Sequence, residues 1–308
     1  MGTADRTTIV KGAGAVKINT VQLYSKGEID AILDPETFAI AVSGYGELDE
    51  RLADSVGKIT FTPSGRLNAD ILAALYPYGT PVIDASVFGV ADTPTEVHSI
   101  AGQKVVFHNT AVTGMPSLRL SAKETAFSGN VEITALAKNA TSRATANAIY
   151  TGPTAAAFVP SIAIADIKTL PYNGVWGSTA IDTKDGWTVD FELSLEPFVL
   201  GDHGTIDMYI KSVTCRAKCN PITYGENMLA LLRTQGTTAV IGGTLRETKN
   251  LVIAATGGLT VTLMDAVPVA GPLKWGESQL RAGELGFKAT RTITTGVPGA
   301  IFSVAMTA

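Results

Sequence analysis

Cys215 and Cys219 are the only cysteines among 308 residues, and they stand four apart in VTCRAKCNP (213–221), a segment that alternates as a strand does. Four residues along a strand cover about 13 Å, beyond disulfide reach, so the pair reads as two reduced, structural thiols. A metal site would need further ligands, and no histidine is close in sequence. His98, His108 and His203 are scattered without paired spacing. His108, Ser121 and an aspartate can be drawn as a nucleophilic triad, but no GxSxG elbow exists to present the serine. Glu47, Asp49, Glu50 and Asp54 gather carboxylates in ELDERLAD (47–54). Calcium loops need oxygen ligands at close alternate positions with a glycine turn, a spacing this segment lacks. It reads as a long exposed loop or a short helix that meets a neighbouring subunit. Gly12 and Gly14 of KGAGAVKI do not form the GxGxxG fingerprint, and there is no Walker loop. Asn139, Ala140 and Thr141 fit a glycosylation pattern that means nothing without a secretory leader. These residues predict no catalytic set, no cofactor site and no metal site, hence no enzyme.

The elements around them carry more information. LAALYPYGT (72–80) and LALLRTQGT (229–237) share five of nine positions, and each follows an alternating strand that ends at a proline, Pro63 or Pro221. Ile71, Leu72 and Leu75 fall on one face at helical spacing, Asn68 is placed to cap the first turn, and Pro77 with Gly79 end the helix. Met228, Leu229 and Leu232 are the corresponding core residues of the second phrase. Ile59, Phe61 and Pro63 alternate with Lys58, Thr60 and Thr62 as in a half-buried strand. Ile206, Met208 and Ile210 alternate in one phase and Val213 to Cys219 in the other, which predicts a β-bulge near Ser212. The chain therefore reads as an all-β fold with short flanking helices, one module written twice. Residues 1–20, polar and Gly-rich, read as an N-terminal arm or edge strand rather than core, 21–150 as the first module, 151–168 as a linker and 169–308 as the second module.

Composition bounds the function. Hydrophobic residues make up 45% and charged residues only 17%, below the usual quarter, as expected when neighbouring subunits cover much of the surface. A net charge of −4 gives no basic balance for gripping phosphates. MGTADRTTIVKG lacks the pattern of a secretory signal, and the longest apolar run, AFVPSIAIADI, breaks at Pro160 and Asp166, so a soluble protein made inside a cell is expected. Aromatics are 7%, with Trp176, Trp187 and Trp275 dispersed, unlike the exposed aromatic faces of a tandem sugar-binding β-sandwich.

ITFTPSGRLNADILAALYPYG (59–79) and VTGMPSLRLSAKETAFSGNVEITALA (112–137) together resemble the major tail tube proteins of long-tailed, non-contractile bacteriophages. GPLKWGESQLRAGELGFKATRT (271–292) stands where the second phrase should recur, without its Met-Pro pair. The resemblance implies two tandem β-sandwich or barrel modules, trimers giving pseudo-hexameric rings, and rings stacked into a hollow tube that delivers DNA. It implies as partners further copies of the chain, a tape-measure protein and tail-tip and terminator proteins, with DNA passing unbound and no membrane. It places the protein in the virion tail, assembled in the host cytoplasm. Tail terminators, connectors, and tubes of contractile tails or secretion devices stay open as alternatives.

Overall fold

A computed structural model describes residues 13–89, 93–99, 103–123, 125–136, 148–151, 165–166, 169–200, 204–222, 248–269, 273–275, 280–282, 284–290, 293–294 and 297–306. Among these, one helix stands against twenty-five strands. The first half runs β1 (Ala13–Ile18), β2 (Val21–Leu23), β3 (Ser25–Val42), β4 (Gly46–Pro63), β5 (Arg66–Leu67), α1 (Ala69–Leu75), β6 (Thr95–Ser99), β7 (Lys104–Phe107), β8 (Thr110–Gly114), β9 (Ser117–Leu120), β10 (Thr125–Ser128), β11 (Val131–Ala135) and β12 (Ala148–Thr151). After β13 (Ala165–Asp166) come β14 (Asn173–Trp176), β15 (Thr179–Ile181), β16 (Thr183–Leu200), β17 (Gly204–Pro221), β18 (Lys249–Ala254), β19 (Leu259–Val269), β20 (Leu273–Trp275), β21 (Leu280–Ala282), β22 (Leu285–Lys288), β23 (Ile293–Thr294), β24 (Val297–Pro298) and β25 (Phe302–Met306).

Two long hairpins dominate, and they pair in the same way. In β3–β4, Ser25 opposes Pro63, Ile29 opposes Phe61, and the register slips after Glu36 and again after Ile40. In β16–β17, Thr183 opposes Pro221, Trp187 opposes Cys219, and the register slips after Ser194 and Phe198, each position 158 residues later (25 to 183). Lys211 is the extra residue at one of these slips, next to the expected Ser212. A bulge bends and twists a strand, so matching bulges give the two hairpins the same bend.

The rest of the scheme also recurs. One sheet has the order β3-β4-β11-β8, and the second half contains β16-β17-β22-β19. A second sheet has the order β12-β7-β6-β1-β2, and its counterpart is β25-β19-β18-β14-β15. Left-handed residues recur with it: Asn19 (φ 52°) matches Gly177 (φ 60°), and Asn109 (φ 46°) matches Asp265 (φ 45°). Asn tolerates this conformation better than most residues, and Gly does so freely.

The core follows from alternation. Val213, Cys215, Ala217 and Cys219 are buried along β17, while Arg216, Lys218 and Asn220 between them face water. The α1 helix is short and depends on packing. Asn68 Oδ1 accepts the Ile71 N–H at 2.8 Å as the cap, and Ile71, Leu72 and Leu75 are buried.

Two expectations are corrected. ELDERLAD is neither loop nor helix: Glu47 to Asp54 lie within β4, opposite residues 36–41 of β3. Acidic residues are weak strand formers, so the order here comes from the partner strand and from the turn at Gly44 (φ 89°). Residues 13–18, read as an arm or edge strand outside the core, form an inner strand between β6 and β2 with Ala15 and Val16 fully buried. Small residues and glycine disguised the period of that strand. In the stretch read as a linker, Ala165–Asp166 pairs with Arg66–Leu67. The second helix phrase (229–237, with Met228, Leu229 and Leu232) lies outside the described residues, as do Gly12, Asn139 and His203.

Candidate assembly interface

The halves are joined by strand pairing. The β9–β10 hairpin of the first half adds to the outer edge of β16, with Leu120 opposite Trp187, Arg119 opposite Thr188 and Leu118 opposite Val189. Leu118, Leu120, Trp187 and Val189 are all fully buried. Gly186 brings the two backbones together: its φ is 84°, and a Cβ there would strike the carbonyl oxygen of Leu120. Beyond the strands, Tyr76 at the end of α1 lies over Phe191 of β16 with ring centroids 4.7 Å apart. Phe302 packs on the same ring at 4.8 Å. The Tyr76 hydroxyl donates to the Pro116 carbonyl at 2.9 Å. The Ile301 N–H donates to the Gly79 carbonyl at 2.7 Å, holding the helix exit against the second half.

Polar contacts extend this joint along the hairpins in two places. Residues 84–87 lie against β17: the Asp84 N–H donates to Ile210 O (2.8 Å), the Ile210 N–H to Ala85 O (3.0 Å) and the Val87 N–H to Met208 O (3.0 Å). The bulged Lys211 contacts Glu196 at 2.5 Å and Asp84 at 3.0 Å, and these bonds, Glu196 first, raise its pKa. As an exposed cluster it guides fit more than it stabilises. Asp54 Oδ2 of β4 accepts the Thr205 N–H (3.0 Å) and hydroxyl (2.9 Å) at the start of β17, where Gly204 (φ 67°) leaves room for the carboxylate.

Each side of this joint has a counterpart that lacks the pairing among the described residues. β3, which corresponds to β16, is an edge strand with no partner but β4 among the described residues. Where Val189 and Phe191 are 0% and 7% exposed, the corresponding Ala31 is exposed and Leu33 is 45% exposed. β20–β21 occupies the place between β19 and β22 that β9–β10 occupies between β8 and β11. Among the described residues it is a two-stranded sheet by itself, with Leu273 opposite Ala282. Besides the joined pair, the chain therefore holds a second hairpin and a second edge strand with no further strand partner among the described residues.

The residues singled out for chemistry do not converge on this place. Cys215 and Cys219 are buried free thiols on the core face of β17, and burial pushes Cys219 up to about 12 and Cys215 higher still. His98 bonds Glu96 at 2.7 Å on β6, beside Lys104. Burial opposes ionisation of Glu96, but the bonds from Lys104 and His98 outweigh it and hold the carboxyl below its ordinary range. His108 lies between β7 and β8, and Ser121 follows β9. Among the described residues no three His, Cys, Asp or Glu side chains are grouped to hold a metal ion. A groove of about 400 Å³ at the joint is lined by Arg119, Lys123, Lys184, Asp182 and Asp185, charges of both signs. Sequence reasoning missed Phe191, Gly186 and the β3 edge. Their signal lay in Pro63 and Pro221, which close matching hairpins 158 residues apart.

Compared with models of protein families the chain matches none, and no curated protein matches it.

Proposed function

We propose that this protein is a structural subunit that joins head to tail with its own copies, and that the assembly is the tail tube of a long-tailed, non-contractile bacteriophage. The observation that carries the reading is the strand joint made once within the chain, both halves of which recur without that pairing among the described residues. Placing β20–β21 of one copy on β3 of the next repeats the internal joint at residues 29–31. A contact between two different surfaces continues until it closes as a ring or runs on as a helix. Closure also removes the open edges that would otherwise template uncontrolled pairing.

The resemblance in residues 59–79 and 112–137 supplies the rest of the reading. Three chains give six modules around a ring, and rings stack into a hollow tube ending at tip and terminator proteins, with a tape-measure protein inside. A net charge of −4 suits a wall past which DNA slides, because a basic wall would bind phosphates by counterion release. The function on this reading is architectural, without catalysis, and the location is the virion tail.

Electron microscopy of the purified chain, alone and with tail-tip initiator proteins, tests the proposal. Rings of three chains and stacked tubes are expected. Dispersed monomers under both conditions would refute it.

A further inference from the structure

Resting on the head-to-tail reading, we infer that the two kinds of joint are unequal, and that Asp30, Ala31 and Leu33 of β3 set the concentration at which chains associate. The β3–β4 and β16–β17 hairpins share one pairing register, so the side chains at equivalent positions of the two edges can be compared directly. Within the chain the covered edge carries Trp187, Val189 and Phe191. Trp187 packs on Phe287 (6.1 Å between centroids) and Phe191 on Tyr76 and Phe302. The open edge carries Ile29, Ala31 and Leu33 at those positions, with no aromatic ring. Where the inner joint has Thr188 opposite Arg119, the outer edge has the exposed carboxylate of Asp30.

Less apolar surface is available to leave water at the outer edge, and aromatic residues are the usual anchors of interfaces. The inner joint is also intramolecular, so its halves meet at a high effective concentration, whereas the outer joint must be made between free molecules. The inner joint therefore closes as the chain folds, and the outer joint stays open in dilute solution. A ring assembled this way alternates strong and weak joints and parts at β3 first.

The test replaces outer-edge residues with those of the inner edge. The variants are Asp30→Thr, a surface change that leaves the fold intact, and the pair Ala31→Val with Leu33→Phe. Association is followed by light scattering over a dilution series, and thermal melting of the dilute chain checks that each variant is folded. The pair should lower the midpoint concentration by about tenfold or more, and Asp30→Thr by a smaller factor in the same direction. If the folded variants associate at the parent's midpoint while rings of three chains still form, the inference is overturned and the tube reading stands. If neither parent nor variants associate at any concentration or on added tube ends, the head-to-tail reading falls and the inference with it.

Discussion

Truncating Phe191 and Leu33 to alanine, one at a time in the dilute chain, separates a covered edge from an open one. The two residues hold equivalent places in matching hairpins, yet Phe191 is 7% exposed and Leu33 is 45% exposed. Phe191→Ala removes a ring held between Tyr76 at 4.7 Å and Phe302 at 4.8 Å, so the transfer loss and the cavity left behind should cost about 3–5 kcal/mol. Leu33→Ala removes a side chain that has lost only about half its contact with water, and should cost roughly 1 kcal/mol. Urea unfolding at a concentration below association gives both values from one pair of titrations. The difference should exceed about 2 kcal/mol, given these costs. Equal losses would mean that the first half does not cover β16, and the comparison of edges would fail.

Other consequences follow from the same packing. Trp176 Nε1 donates to the Ala266 carbonyl at 2.8 Å, whereas Trp187 Nε1 is buried without an acceptor among the described residues. Calorimetry should therefore show Trp176→Phe costing about 1–3 kcal/mol more than Trp187→Phe; the reverse order would contradict the assignment. Gly186→Ala meets both a positive φ and the Leu120 carbonyl, and should cost about 1–3 kcal/mol, while Gly65→Ala, with open space at its Cβ, should be near neutral in the same denaturation assay. Burial raises Cys219 from 9.0 to about 12, so between these values the unfolded chain loses a proton that the folded chain keeps. The contribution of Cys219 to stability is thus full below about pH 9 and falls as pH rises towards 12, and Cys219→Ala should flatten that slope in melts taken across the range.

Much of this architecture can be read from residue order, and the parts that cannot share a physical cause. The strand at Ile59 and Phe61, the bulge beside Ser212 and the cap at Asn68 depend on local alternation and on one side chain reaching its own backbone. Those signals sit within a few residues of where they act. Glu47 to Asp54 could not be placed that way, because an acidic segment becomes a strand only when a turn folds it onto β3. Ala13–Ile18 failed for a related reason: its burial is imposed by β2 and β6 from either side. The interface was the least legible part, since Phe191 looks like any core aromatic until Tyr76, over a hundred residues earlier, is found above it. What the residue order did contain was repetition, and the repeated pairing register makes the open edge of β3 comparable with the covered edge of β16.

The central claim, that β20–β21 of one copy occupies β3 of the next, is tested most directly by a pair of cysteines at Asp30 and Lys274 in one chain. Cys215 and Cys219 are buried, so the introduced thiols report alone under native oxidation. Oxidised at assembling concentration, the chain should give disulfide-linked dimers and trimers that stop at three, and each single variant should stop at dimers or monomers. A double variant that stays monomeric while tubes are present would contradict the joint.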